Sequence, residues 1–188
     1  MQKTEIYDFI EIMATMIGAE ERKKCTKLGL RLVHFQVLDY LMRCNKYSNT
    51  PAATANYLGM TRGTISQSLM ILEKKAYIEK VPDASDKRVV HLLLLPEGIK
   101  IFSSIRPTAL FARAATILEE NGVFPDEKIF TQALTALQKA NASKSFGFCK
   151  TCNHFTRKSN GFHCGLTKEK LNKRDSEKIC QEHSFRIK

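Results

Sequence analysis

Leu58-Gly59-Met60-Thr61-Arg62-Gly63-Thr64-Ile65-Ser66-Gln67-Ser68 is the stretch on which the fold of this chain turns. Gly59 can take the left-handed conformation that closes a helix, and Thr61 can cap a new one starting at Arg62. Just upstream, Ser48-Asn49-Thr50-Pro51 is a start signal, with Thr50 as cap and Pro51 at the first helical position. The spacing therefore predicts a short helix, a glycine-containing turn and a second helix from Arg62 to Lys75. Ile65, Leu69, Ile71 and Leu72 are the apolar positions of that second helix. Its other face carries Arg62, Gly63, Thr64, Ser66, Gln67 and Ser68, short or hydrogen-bonding side chains crowded at the helix N-terminus. A merely solvated face would carry more Glu and Lys.

Downstream, Tyr77-Ile78-Glu79-Lys80-Val81 and Val89-Val90-His91-Leu92-Leu93-Leu94-Leu95 read as two short strands, the second ended by Pro96. The charged, turn-prone Pro82-Asp83-Ala84-Ser85-Asp86-Lys87-Arg88 joins them into a hairpin, or wing. A helix-turn-helix followed by a wing reads duplex DNA by placing the N-terminal residues of its second helix against base edges in the major groove. The candidate DNA-contacting residues are Thr61, Arg62, Gly63, Thr64, Ser66, Gln67 and Ser68 on the helix, with Lys87 and Arg88 on the wing. Arg62 suits a guanine edge and Gln67 an adenine, while Thr64, Ser66 and Ser68 suit phosphates or methyl groups. Arg88 has the reach to enter a minor groove. It can equally pair with Asp83 or Asp86 and so fix the wing.

These residues resemble those of MarR-type transcriptional regulators. The resemblance is carried by Leu58 through Ser66, by Leu72-Glu73-Lys74-Lys75-Ala76-Tyr77-Ile78-Glu79-Lys80, and by Asp86-Lys87-Arg88 ahead of Leu95-Pro96-Glu97-Gly98. It covers roughly residues 5–140. It implies a homodimer with interlocking first and last helices, binding a pseudo-palindromic operator, with a small-molecule effector between the dimer helices and the DNA-reading lobe. Two positions depart from the pattern: Ala76, where glycine is usual, and Pro96, where threonine is usual. Ala76 must then tolerate a turn conformation that glycine takes freely.

Helical spacing extends to both sides of this core. Residues 4–24 present Ile6, Phe9, Ile10, Met13, Met16 and Ile17, and a second helix fits 29–46. A long helix is expected from about 97 to 120, kinked at Pro107, and Phe124-Pro125-Asp126 opens a last one to about 140. The stripes Ile6, Met13, Ile17; Ile101, Ile105, Leu110; and Ile129, Leu134 exceed what a small winged core can bury, which points to helical dimerisation elements. Residues 1–143 thus form a mainly α, winged helix-turn-helix domain with a small β-hairpin, and the polar link Asn141-Ala142-Ser143-Lys144-Ser145 leads to a second module over 144–188.

That second module holds four of the six cysteines: Cys149, Cys152, Cys164 and Cys180. A Cys-x2-Cys turn sets two sulfurs around a metal, and four thiolates complete a tetrahedral shell. The expected cofactor is zinc, with an iron–sulfur cluster as the alternative, since the two unpaired cysteines suit either. His154, His163 and His183 stand among them and are expected to be surface or supporting residues. Phe146, Phe148, Phe155, Phe162 and Phe185 supply an apolar jacket. Cys25 and Cys44 offer no site.

Hydrophobic content of 43% with 26% charged residues indicates a water-soluble globular chain, and no apolar run reaches the ~18 residues of a membrane span. The N-terminus lacks the pattern of a signal peptide, so a cytoplasmic protein is expected. A net charge of +11 favours a polyanionic partner. From residue 144 onward there are eleven Lys or Arg against four Asp or Glu, a net +7 that bound thiolates would partly offset. The expected function is a dimeric, operator-binding transcriptional regulator, not an enzyme, with metal- or redox-linked control through the four-cysteine tail. The alternative is a tail that serves only as a structural zinc or partner-recruiting module, with control by a small ligand. A thiol oxidoreductase lacks its α/β context here, and an RNA-binding module leaves the wing unexplained.

Overall fold

The structure is a computed structural model and describes residues 5–84, 86–123, 126–140, 146–158 and 161–185. The polar link 141–145 and the 124–125 part of the predicted last-helix start lie outside the described residues. Four helices come first: α1 (Glu5–Lys27), α2 (Leu32–Arg43), α3 (Pro51–Leu58) and α4 (Arg62–Lys74). The hairpin of β1 (Ile78–Pro82) and β2 (Val90–Leu94) follows, then α5 (Pro96–Ile105), α6 (Thr108–Glu120) and α7 (Glu127–Ala140). The tail contains β3 (Gly147–Phe148), a 3-10 turn over Cys149–Thr151, β4 (Phe155–Lys158), β5 (Gly161–Cys164), β6 (Lys170–Leu171), α8 (Lys173–Ser176) and β7 (Ile179–Cys180).

The expected mainly helical fold with a wing is present, and its local signals sit where the residues place them. Thr50 Oγ1 accepts from the Ala53 amide and Pro51 opens α3. Gly59 closes that helix at φ +64°, and Thr61 Oγ1 caps α4 through the Thr64 amide. Ala76 stands at φ +54°, the left-handed turn between α4 and β1. The hairpin is antiparallel, with Ile78 opposite Leu94 and Pro82 opposite Val90.

Three boundaries differ from the sequence expectation. The second helix is shorter than 29–46: Gly29 at φ +62° turns the chain after α1, and Cys44 is already extended. Pro107 splits the predicted 97–120 helix in two, because Arg106 before it adopts an extended conformation, as residues preceding proline do. Pro96 does more than end the second strand, since it is itself the first residue of α5.

The core gathers around α2, with Val37, Leu38 and Tyr40 fully enclosed by Ile65, Leu69 and Leu72 of α4, Ile78 and Leu92 of the hairpin, and Phe102 and Ile105 of α5. Phe35 stacks on Phe102 at 5.9 Å. Ile105 therefore belongs to this intrachain core and not to a dimer stripe, while Ile71, expected inside, is exposed. Gly98 packs so tightly that a Cβ would lie 2.1 Å from the Tyr77 carbonyl oxygen, so glycine is required there by approach alone. Helix α6 buries no residue, and Phe9 and Met16 of α1, Ile117 of α6 and Phe130 of α7 stand more than half exposed. No helix among the described residues is long and apolar enough to cross a membrane.

The left-handed cost at Ala76 sets the first prediction. Ala76→Gly relieves ~1–2 kcal/mol of steric penalty but adds backbone entropy to the unfolded chain, for a net gain of ~0.5–1 kcal/mol in urea unfolding.

Candidate nucleic-acid interface and cysteine cavity

Capping by Thr61 leaves the first turn of α4 pointing outward. Thr61 and Thr64 hydroxyls bond each other at 2.9 Å, and Arg62, Gly63, Ser66 and Gln67 are exposed beside them. A Cβ added at Gly63 would meet nothing closer than Thr61 Oγ1 at 3.9 Å, so the chain's own packing does not demand glycine there. Ser68 departs from expectation. Its side chain is buried and its hydroxyl donates to the Thr64 carbonyl at 2.9 Å, because position 68 falls on the core side with Ile65 and Leu72.

The wing arginine is braced. Arg88 Nε and Nη2 donate to the two Asp86 carboxylate oxygens at 2.9 and 2.8 Å, and the Arg88 amide donates to Asp86 Oδ1 at 3.0 Å. The guanidinium and the Arg88 amide together hold the Asp86 carboxyl below the usual carboxylate range. Arg88 remains 90% exposed along its side chain, so the pairing orients it without burying it. Asp83 does not pair with Arg88. It accepts the Asp86 amide at 2.9 Å and contacts His91 Nε2 at 3.0 Å. Lys87 lies exposed on the same loop.

Sequence reasoning missed what stands behind the wing. Asn49 binds β2 three times: its carbonyl accepts from the Leu92 amide at 2.7 Å, its Nδ2 donates to the Leu92 carbonyl at 3.2 Å, and its Oδ1 meets His91 Nδ1 at 2.6 Å. Asn49 and His91 are 42 apart in sequence, and no local pattern joins them.

The tail docks on the connection between α2 and α3, residues 44–50. Cys44 bridges Ile179, the Asn45 amide donates to the Ile179 carbonyl at 2.9 Å, and the Gln181 amide donates to Ser48 Oγ at 2.9 Å. Lys46 pairs with Glu169 at 2.7 Å, and the Tyr47 hydroxyl also donates to Glu169. Ile179 is part of the main core and Phe146 meets Tyr57 edge to face at 4.6 Å, so the two sequence segments share one interior. The aromatic jacket is accordingly divided. Phe146 joins the helix-turn-helix core, Phe155 pairs with Phe162, Phe185 packs on His183, and Phe148 is exposed.

All four tail cysteines line one cavity of about 30 Å³, together with Asn45 and Tyr47 of the α2–α3 connection, His154 and Leu171. Antiparallel pairing of β3 with β7 brings Cys149 beside Cys180, the 3-10 turn returns Cys152, and the end of β5 delivers Cys164. Asn45 Nδ2 donates to Cys149 Sγ at 3.5 Å and the Ser184 amide to Cys152 Sγ at 3.4 Å. Cys149 and Cys180 are free thiols that face each other; their mutual contact, against desolvation by burial, holds Cys180 below the usual thiol range, helped by Asn45, the Glu182 amide and Ser48, and together with burial pushes Cys149 up. The expected closed shell of four thiolates is not what the structure displays. Among the described residues no three His, Cys, Asp or Glu side chains are gathered tightly enough to hold an ion. His154 lies in the cavity lining, and His163 and His183 lie outside it. Cys25 and Cys44 are buried in the core.

Residues 28–89, which include the helix-turn-helix and the first strand and loop of the wing, match the sequence model of the MarR family. Among solved structures, the transcriptional regulator BldR from Sulfolobus solfataricus is 20% identical, with a TM-score of 0.54 over 74% of this chain and 99% of that one. A MarR transcriptional regulator from Methanosarcina mazei Go1 is 20% identical, with a TM-score of 0.53 over 74% and 97%. CouR from Rhodococcus jostii RHA1, bound to p-coumaroyl-CoA, is 17% identical, with a TM-score of 0.51 over 76% and 96%. At these identities the likeness is one of fold. No curated protein matches the chain.

Docking of the tail through Ile179 predicts that Ile179→Ala costs ~2–5 kcal/mol in urea unfolding, the range for emptying a buried aliphatic site. Limited proteolysis should then cut the tail first; unchanged stability and an equally resistant tail would contradict the shared interior.

Proposed function

We propose that this chain is a transcriptional regulator of the MarR family that binds duplex DNA as a homodimer, with α4 in the major groove and the wing arginine beside it. MarR-family proteins are transcription regulators, not enzymes. The observation that carries the reading is the outward first turn of α4, where Arg62, Gly63, Ser66 and Gln67 are exposed behind a threonine cap, set beside an Arg88 held by Asp86. Arg62 and Gln67 have the donors and acceptors to read base edges, and Thr61, Thr64 and Ser66 suit phosphates. Ser68, being buried, takes no part. Lys87 adds charge on the wing, and Arg88 suits a narrow minor groove.

The exposed apolar positions of α1, α6 and α7 support the dimer, because helices that bury so little of their apolar surface within one chain need a partner. The ligand-bound regulator of the same fold supports a small-molecule effector. We read Cys149, Cys152, Cys164 and Cys180 as ligands of zinc, with an iron–sulfur cluster as the alternative. Their common cavity and the N–H donors aimed at Cys149 and Cys152 support a metal.

Selection from a random duplex pool by the full chain tests the DNA reading. The expected product is a two-fold symmetric sequence with half-sites about one helical turn apart; no enrichment would overturn it. Gly63→Leu separates DNA contact from folding. Gly63 is exposed and a Cβ there meets nothing closer than 3.9 Å, so the melting temperature holds, while operator affinity falls at least ~tenfold because the bulk sits where a duplex approaches. For the dimer, Met16→Glu with Ile117→Glu should halve the mass seen by light scattering; a wild-type chain that is already monomeric at micromolar concentration would rule it out.

A further inference from the structure

We propose that the groove between the β4–β5 sheet and α8 of the tail binds a small ring compound that carries a phosphate, of about the size of a mononucleotide.

The groove has a volume of about 670 Å³, within the range of small-molecule sites, and its described lining comes entirely from the tail. One wall is a face of the sheet. Phe155 and Arg157 are two apart on β4 and therefore share that face, and Phe162 of β5 stands opposite Arg157. The two rings lie 5.2 Å apart with 35° between their planes, and the Arg157 guanidinium sits over the Phe162 ring, 5.4 Å from its centroid. The other wall is built by the 3-10 turn, through Lys150 and Thr151, and by α8 and the residue after it, through Lys173, Ser176 and Glu177. The described lining shares Phe155 with the cysteine cavity and contains no cysteine.

Charge selects an anion. Lys150, Arg157 and Lys173 border the groove and are exposed, and Glu177 is the single acid of the described lining. Among the described residues none of these three cations forms an ion pair, although Lys46, Lys80, Arg88 and Lys100 are each paired. Three like charges around one concavity repel each other, and a dianion placed among them removes that cost. A phosphate also offers the pair of oxygens that a guanidinium fork matches. The hydroxyls do not compete for it. Thr151 Oγ1 donates to the Phe148 carbonyl at 2.8 Å and Ser176 Oγ to the Lys173 carbonyl at 2.7 Å, so both offer the ligand only lone pairs. Those lone pairs and the Glu177 carboxylate suit hydroxyl or ring N–H groups. Phe155 and Phe162 are half-buried and give the flat apolar surface on which a ring packs. A duplex keeps its bases stacked inside and its phosphates on a convex ridge, so it meets the cations without reaching these rings.

Equilibrium dialysis of the full chain against radiolabelled adenosine 5′-monophosphate (AMP), a ring-plus-phosphate probe, tests the site. One molecule should bind per chain with a dissociation constant of about 10–100 μM, the level expected of a ligand this size. Adenosine lacks the anion and inorganic phosphate lacks the ring, so each should displace AMP at least ~tenfold less well. Arg157→Gln with Lys173→Gln should weaken AMP binding at least ~tenfold and leave the melting temperature unchanged, because both side chains are exposed. Phe162→Leu keeps an apolar side chain on the sheet and should weaken AMP at least ~threefold, with the inhibition constant of inorganic phosphate unchanged. Absence of AMP binding, displacement by adenosine or phosphate as strong as by AMP, or unchanged affinity in the double variant overturns the site. A loss of operator affinity in the double variant as large as its loss of AMP affinity assigns the cations to the DNA backbone. An oligothymidylate that displaces AMP more strongly than AMP itself assigns the groove to single-stranded nucleic acid. Either outcome overturns the proposal.

Discussion

A buried backbone segment must find partners for its polar groups, and the connection between α2 and α3 meets that demand from two directions. Tail residues satisfy Asn45 and Ser48, and the second wing strand satisfies Asn49. An unpaired group there would cost ~1–3 kcal/mol, comparable to burying a core side chain. The tail and the wing are consequently tied to the same few residues, and α3, which begins at Pro51, starts from a fixed platform. The placement of α3, α4 and the hairpin relative to the cysteine cavity depends on this segment more than on any single apolar contact.

This arrangement changes the meaning of the cysteine-rich tail. As an appendage to the last helix it would act on DNA by altering the spacing of a dimer. Docked against residues 44–48 it lies instead behind the helix-turn-helix and wing, with Ile179 in the common core and Phe146 against Tyr57. Helix α7 still takes part, since Gln138 donates to the Phe146 carbonyl at 2.6 Å. The tail is thereby a wall of the winged domain, and burial of Ile179 gives it a stabilising role of its own.

Local physics made much of this legible in advance. Thr50, Pro51, Gly59 and Thr61 carry their helix boundaries in their own conformational preferences, and the Ala76 turn follows from the short step between α4 and β1. Arg88 paired with Asp86 was one of two pairings the wing allowed, and two residues' separation made it the easier one. Long-range positions were harder. Ile71 and Ile105 have apolar side chains on either reading, and only the packing of α2 against α4 and α5 assigns one to solvent and the other to the core. Ser68 looked like its neighbours Ser66 and Gln67, yet the helix rotation turns it inward.

The amino-acid sequence by itself determined the helix-turn-helix, the wing, the polar front of α4 and the presence of four cysteines in one segment, because caps, turns and short-range periodicity act within a few residues. Tertiary structure alone decided where the tail lies, that Asn45 joins the cysteine cavity, and that Asn49 ties that same loop to His91 and Leu92. Those contacts link residues from 42 to more than 100 positions apart. They form because buried polar groups take whichever partners the fold brings near, and no propensity of the separate segments encodes that choice.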